Sequence, residues 1–130
     1  MSFFLSIVFL MSIGNPSGVT TFPQSKKSTV SAKVITSIEG NKLTITGTAT
    51  NNTTTNQNIV YALLVEKNKN RGGNRSNNTQ RGSAMVQYNE TKKLSTTAIN
   101  RSAKDVIYIS LRIYGKDNKL LSEDTVTINE

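Results

Sequence analysis

The chain has no histidine and no cysteine, so acid–base chemistry would fall to its eight Asp and Glu residues. These are Glu39, Glu66, Glu90, Asp105, Asp117, Glu123, Asp124 and Glu130. Most sit in turn-like stretches or beside lysines, the ordinary setting of solvated surface charge. Glu123-Asp124 is the one adjacent pair, and neighbours on an extended strand point to opposite faces, so the two do not converge on a substrate. A hydroxyl nucleophile would need a lysine or carboxylate base, and no such arrangement stands out. The missing Cys and His also remove disulfides, thiol redox chemistry and the common zinc sites. Gly72-Gly73 lies among basic residues, but the spacing Gly-x-x-x-x-Gly-Lys-Ser/Thr of a phosphate-cradling loop is absent. The expectation is a protein that is not an enzyme and uses neither metal nor cofactor.

The concentrated feature is positive charge. Sixteen Lys and Arg oppose the eight acids for a net charge of +8. Lys67, Lys69, Arg71, Arg75 and Arg81 fall between Ile59 and Gly82 with Glu66 as the sole acid among them. Arg112, on a later apolar run, is a weaker member of the same set. Such an excess favours solubility, and it also suits an anionic partner: an acidic protein, a membrane surface or a nucleic acid. The absence of tryptophan and the sparse aromatics disfavour a stacking platform for single-stranded nucleic acid. Lysines and arginines also guard sheet edges against unwanted pairing. The two roles are compatible.

The elements that must carry these cations read as strands. Residues Ser2 to Ile13 are an apolar run too short to span a bilayer, followed by Gly14-Asn15-Pro16-Ser17-Gly18, which fits a cleaved signal peptide over residues 1–21. No stable membrane insertion is then expected. Residues 22–32 are polar and read as a flexible arm. From Lys33 the period is two, and β-branched residues dominate. Strands are expected around Val34–Ile38, Leu43–Thr50, Ile59–Glu66, Gly82–Tyr88, Leu94–Ile99, Val106–Tyr114 and Leu120–Ile128, with the basic stretch Lys67–Ser76 as a hairpin loop. Ile59–Glu66 is apolar on both faces, which suits either a central strand or one packed on its outer face by another element, with Tyr61, Leu63 and Val65 directed to the core. Seven short strands with regular turn signals within residues 33–130 predict an all-β, seven-stranded, immunoglobulin-like antiparallel β-sandwich, with a small closed barrel as the competing architecture.

Tyr61-x-Leu63 with Lys67, Gly73-x-x-Ser76, Gln80-Arg81-Gly82, Leu94-Ser95 with Ile99-Asn100, and Leu111-x-Ile113-Tyr114 followed by a polar turn and Leu120 stand in a fixed order along the chain. In these residues the chain resembles the CsgH family of curli assembly chaperones, which share the fold of CsgC. The resemblance spans roughly Ile38 to Ile128, with Arg81 at a position where a small residue is expected. It implies a periplasmic, monomeric domain that binds a curli-type amyloid subunit transiently and keeps it from polymerising before secretion. No catalytic site comes with it. In that reading Lys67, Lys69, Arg71, Arg75 and Arg81, with Arg112, steer the subunit electrostatically. The alternative is a cell-surface adhesion or structural module, a fibre subunit built on the same sandwich.

Overall fold

A computed structural model describes residues 29–68 and 75–129. The described residues form seven strands: β1 (Val30–Glu39), β2 (Lys42–Asn51), β3 (Gln57–Asn68), β4 (Arg75–Val86), β5 (Thr91–Asn100), β6 (Val106–Tyr114) and β7 (Leu120–Ile128). A single 3-10 turn, Lys116–Asn118, joins the last two. The strands make two antiparallel sheets, a three-stranded one in the order β1-β2-β5 and a four-stranded one in the order β4-β3-β6-β7. The expected signal peptide, most of the expected arm, and Lys69 and Arg71 lie outside the described residues.

Period-two alternation puts one apolar row from each strand into the space between the sheets. Leu43 and Ile45 of β2, Leu63 of β3, and Ile107, Ile109, Leu111 and Ile113 of β6 are fully buried there. Val30, Ala49 and Val86 complete the set. The β6 row is the longest, so this strand is the floor on which the three-stranded sheet rests. Tyr61 is partly buried against the same core, beside Leu63 and Val65. β3 pairs with β4 on one side and β6 on the other, so of the two arrangements its two-faced apolarity allows it has the central one.

Three boundaries differ from the sequence expectation, each for a physical reason. β1 begins at Val30, inside the stretch read as an arm, and Val30 is fully buried. β4 begins at Arg75 instead of Gly82, because its first residues pair along the whole of β3 from Asn68↔Arg75 onward. The ladder overrides the polar composition, and Arg75 and Arg81 are strand residues, not loop residues. Tyr88, expected on the strand face of Ala84 and Val86, instead lies in the turn after β4 and is exposed.

β5 carries a bulge. Gly47 pairs with Ser95 and Thr48 with Lys93, so Leu94 is the extra residue. The inserted residue shifts the alternation. Ile99, opposite Leu43, faces the core, and Leu94 also reaches it despite its even number.

Candidate functional site

Register fixes which cations share a surface. On the outer face of the four-stranded sheet, Arg81 and Arg112 sit on either side of Ala62 in one cross-strand row, and Glu123 ends that row on β7. Two strand spacings put the two arginine backbones about 10 Å apart. Ala62 is too small to fill the gap. The result is an open trough of about 210 Å³, bordered by Leu64, Tyr108 and Tyr114 as well as the two arginines. Arg75 lies on the same face, and its Nε donates to Asn68 Oδ1 at 3.1 Å. Glu66 and Glu123 are the acids of this face, against three arginines.

The sequence cluster therefore splits in space. Lys67 has the inward parity of Val65, and its Nζ donates to the Asn100 carbonyl at 2.8 Å. It closes a gap between the sheets instead of joining the trough. Arg112 Nε donates to Glu123 Oε2 at 2.9 Å, and Ser110 Oγ donates to the same oxygen at 3.3 Å. Among the described residues no side chain pairs with Arg81.

Sequence reasoning missed a second cationic face. The outer surface of the three-stranded sheet carries Lys33 and Lys93 on either side of Thr48, while Lys42, at the other end of β2, lies opposite Glu39. Threonines fill the intervening positions, and hydroxyl pairs cross the strands at Thr46–Thr96 (3.5 Å) and Thr50–Thr91 (2.7 Å). The available signal was the odd-numbered alternation of Lys33 with Ile35 on β1. It does not reveal that Lys93, sixty residues on, shares the row.

Side chains bridge both seams between the sheets and cap part of each strand edge. On the β4–β5 side Tyr61 Oη donates to the Leu94 carbonyl (3.0 Å) and Lys92 Nζ to the Met85 carbonyl (3.2 Å). Ser95 Oγ and Gln80 Oε1 are also bonded there. On the β1–β7 side Ser122 Oγ accepts from the Ala32 N–H (2.9 Å) and Asp124 Oδ2 from the Val34 N–H (2.7 Å). Inward-pointing polar residues on edge strands are a recognised defence against edge-to-edge pairing.

No protein-family model matches the chain, and no curated protein does. Among solved structures it is similar to the E. coli curli protein CsgC, with a TM-score of 0.60 and 14% identity, over 74% of this chain and 96% of that one. The fold is CsgC-like. R. palustris CsgH matches at a TM-score of 0.53 and 16% identity, over 75% of this chain and 87% of that one. A Bacteroides uniformis β-glucuronidase matches at 0.56 and 10% identity, but over only 14% of its length, so the same fold also serves as one part of a large enzyme.

On this CsgC-like frame the Arg112–Glu123 pair has a titration signature. The hydrogen bond from Arg112 holds the Glu123 carboxyl below the usual carboxylate range, and Glu123 in turn raises Arg112. A carboxyl lowered by folding stabilises the native state above its unfolded pKa, and that contribution disappears as pH falls through the folded value. Both side chains are solvent-accessible, so the effect on stability is small. Arg112→Ala should return Glu123 toward the ordinary range, as followed by its side-chain carboxyl NMR shift between pH 2 and pH 7. An unchanged midpoint would mean that Arg112 is not the cause.

Proposed function

We propose that the chain is a periplasmic chaperone that binds a curli-type amyloid subunit transiently and delays its polymerisation before secretion. The observation that carries this reading is the extent of the likeness: it takes in nearly all of CsgC and most of CsgH. In the glucuronidase only a small part corresponds. The reading takes the two sheets as an immunoglobulin-like sandwich in which the fourth strand joins β3 instead of β5. It also takes the apolar leader as the signal that brings the chain to the periplasm.

The residues suit the task. An amyloid subunit in transit exposes unpaired strand edges. A β-domain that handles it must keep its own edges from joining, and the side chains across both seams do this. Arg75, Arg81 and Arg112 attract an acidic segment over the outer face, and Lys69 and Arg71 add to the positive charge of the same stretch of sequence. Lys67 acts through the seam, by capping Asn100. The capped edges favour the chaperone over the fibre-subunit alternative, which would self-associate.

Thioflavin T fluorescence of a curli-type subunit, with and without the purified domain, tests this. The domain is expected to lengthen the lag. Replacing Lys69, Arg71, Arg75 and Arg81 by glutamate should slow encounter about tenfold and shorten the delay accordingly. Raising ionic strength should act in the same direction. Inhibition undiminished by charge reversal would defeat electrostatic attraction as the basis of recognition.

A further inference from the structure

The two side-chain caps on β1 cover only part of its free edge. Ala32 and Val34 donate away from β2, so by antiparallel alternation Thr36 and Ile38 do the same. The caps advance in step, Ala32 to Ser122 and Val34 to Asp124, so β1 and β7 run parallel across this seam. Beyond Asp124 the inward residues of β7 are Val126 and Ile128. Neither hydrocarbon side chain can accept a hydrogen bond. Among the described residues no side chain caps the Thr36 or Ile38 N–H.

Ile38 marks the same opening. It has the inward parity of Val30 and Val34, and its cross-strand partner Leu43 is fully buried, yet Ile38 is 47% exposed. Ile35, on the opposite face, is 49% exposed. The end of β1 thus offers two outward N–H donors and their alternating carbonyls beside a half-covered isoleucine. These are the groups that a further strand would satisfy, with an apolar side chain of that strand over Ile38.

We propose that the Thr36–Ile38 end of β1 is the edge to which an extended segment of the amyloid subunit pairs, and that Ser122 and Asp124 limit this pairing to about one turn of the ladder. The inference rests on the chaperone reading above and adds the place of contact. A partner confined to this short edge gains few backbone bonds and leaves readily. A longer open edge would hold it and offer a template.

Ile38→Pro tests the edge directly. It removes one outward donor, and its bulk blocks an added strand, while the N–H lost is not one that pairs with β2. Proline is tolerated on an edge strand with its nitrogen toward solvent. An unchanged thermal midpoint would confirm that the fold is intact. With a freshly prepared monomeric curli-type subunit as probe, the Thr36 and Ile38 amide resonances of the wild-type domain should shift on titration. Ile38→Pro should weaken binding about fivefold or more. Ser122→Ala combined with Asp124→Ala should tighten binding by releasing the Ala32 and Val34 donors. If this double variant does not fold, the amide shifts and Ile38→Pro still decide. A wild-type domain that delays polymerisation while Ile38→Pro delays it equally, with no shift at Thr36 or Ile38, overturns the edge assignment and leaves the chaperone reading standing. A wild-type domain that neither delays polymerisation nor shows amide shifts overturns the chaperone reading itself.

Discussion

Replacing Asn51 by alanine is expected to lower the free energy of unfolding by about 3 kcal/mol, because it would strip partners from one buried and several part-buried groups at once. The Asn51 side chain is fully buried at the end of β2. Its Nδ2 donates to the carbonyls of Thr55 (2.8 Å) and Val86 (2.9 Å). Its Oδ1 accepts from the Thr53 N–H (2.9 Å) and the Thr53 hydroxyl (2.7 Å). The backbone is engaged as well: the Asn51 N–H donates to Glu90 O, and Asn51 O accepts from the Asn89 N–H. One side chain therefore ties the β2–β3 loop to the end of β4. Truncation leaves the Val86 carbonyl and the Thr53 amide without their partners, and a cavity too polar to stay dry comfortably. Urea unfolding followed by circular dichroism measures the loss. A change below about 1 kcal/mol would mean that water replaces the amide at little cost.

Gly82→Ala is the second large effect, and its origin is crowding. A Cβ at residue 82 would stand 2.5 Å from Tyr61 Oη and 2.8 Å from Cζ. Tyr61 and Gly82 are direct cross-strand partners, so the ring lies over the glycine. The ring has little freedom to withdraw, since its hydroxyl is bonded to the Leu94 carbonyl across the seam. Alanine must push the ring off that bond, at an expected cost of about 2 kcal/mol. Tyr61→Phe removes the hydroxyl that both clashes and anchors, so Gly82→Ala should cost less in that background than in the wild type. A double-mutant cycle by chemical unfolding reads this coupling. Simple additivity would show that the ring moves aside freely.

The core was legible because its signal is periodic. Leu63, Val65 and the odd-numbered isoleucines of β6 alternate without interruption, and each is buried as the pattern requires. The seven strands follow for the same reason. What escaped the pattern was set by partners distant in the chain. Arg75 to Arg81 look like loop by composition but complete a ladder with β3. Leu94 breaks the alternation because β2 opposes it with one residue fewer. Ser122 and Asp124 are polar at inward positions, so an apolar search passes over them, although Asp124 and Glu123 do point apart as their adjacency implies. The cationic cluster was visible as a run in sequence, but strand alternation distributes such a run. Lys67 turns into a seam while Arg81 faces the trough.

The β1–β7 seam has a consequence for the order of folding. Its two bonds join residues 90 positions apart. The β1–β2 hairpin, by contrast, closes through the short turn at Gly40, whose positive φ of 62° suits glycine. Local hairpins form before contacts of high sequence separation, because the longer loop costs more entropy to close. A chain emerging from its N-terminal end would therefore have β1 paired with β2 while β7 is still to come. During that interval Ala32 and Val34 have no caps, and the open edge runs the length of β1. The last of the described strands to arrive is thus the one that shortens this open edge to its Thr36–Ile38 end.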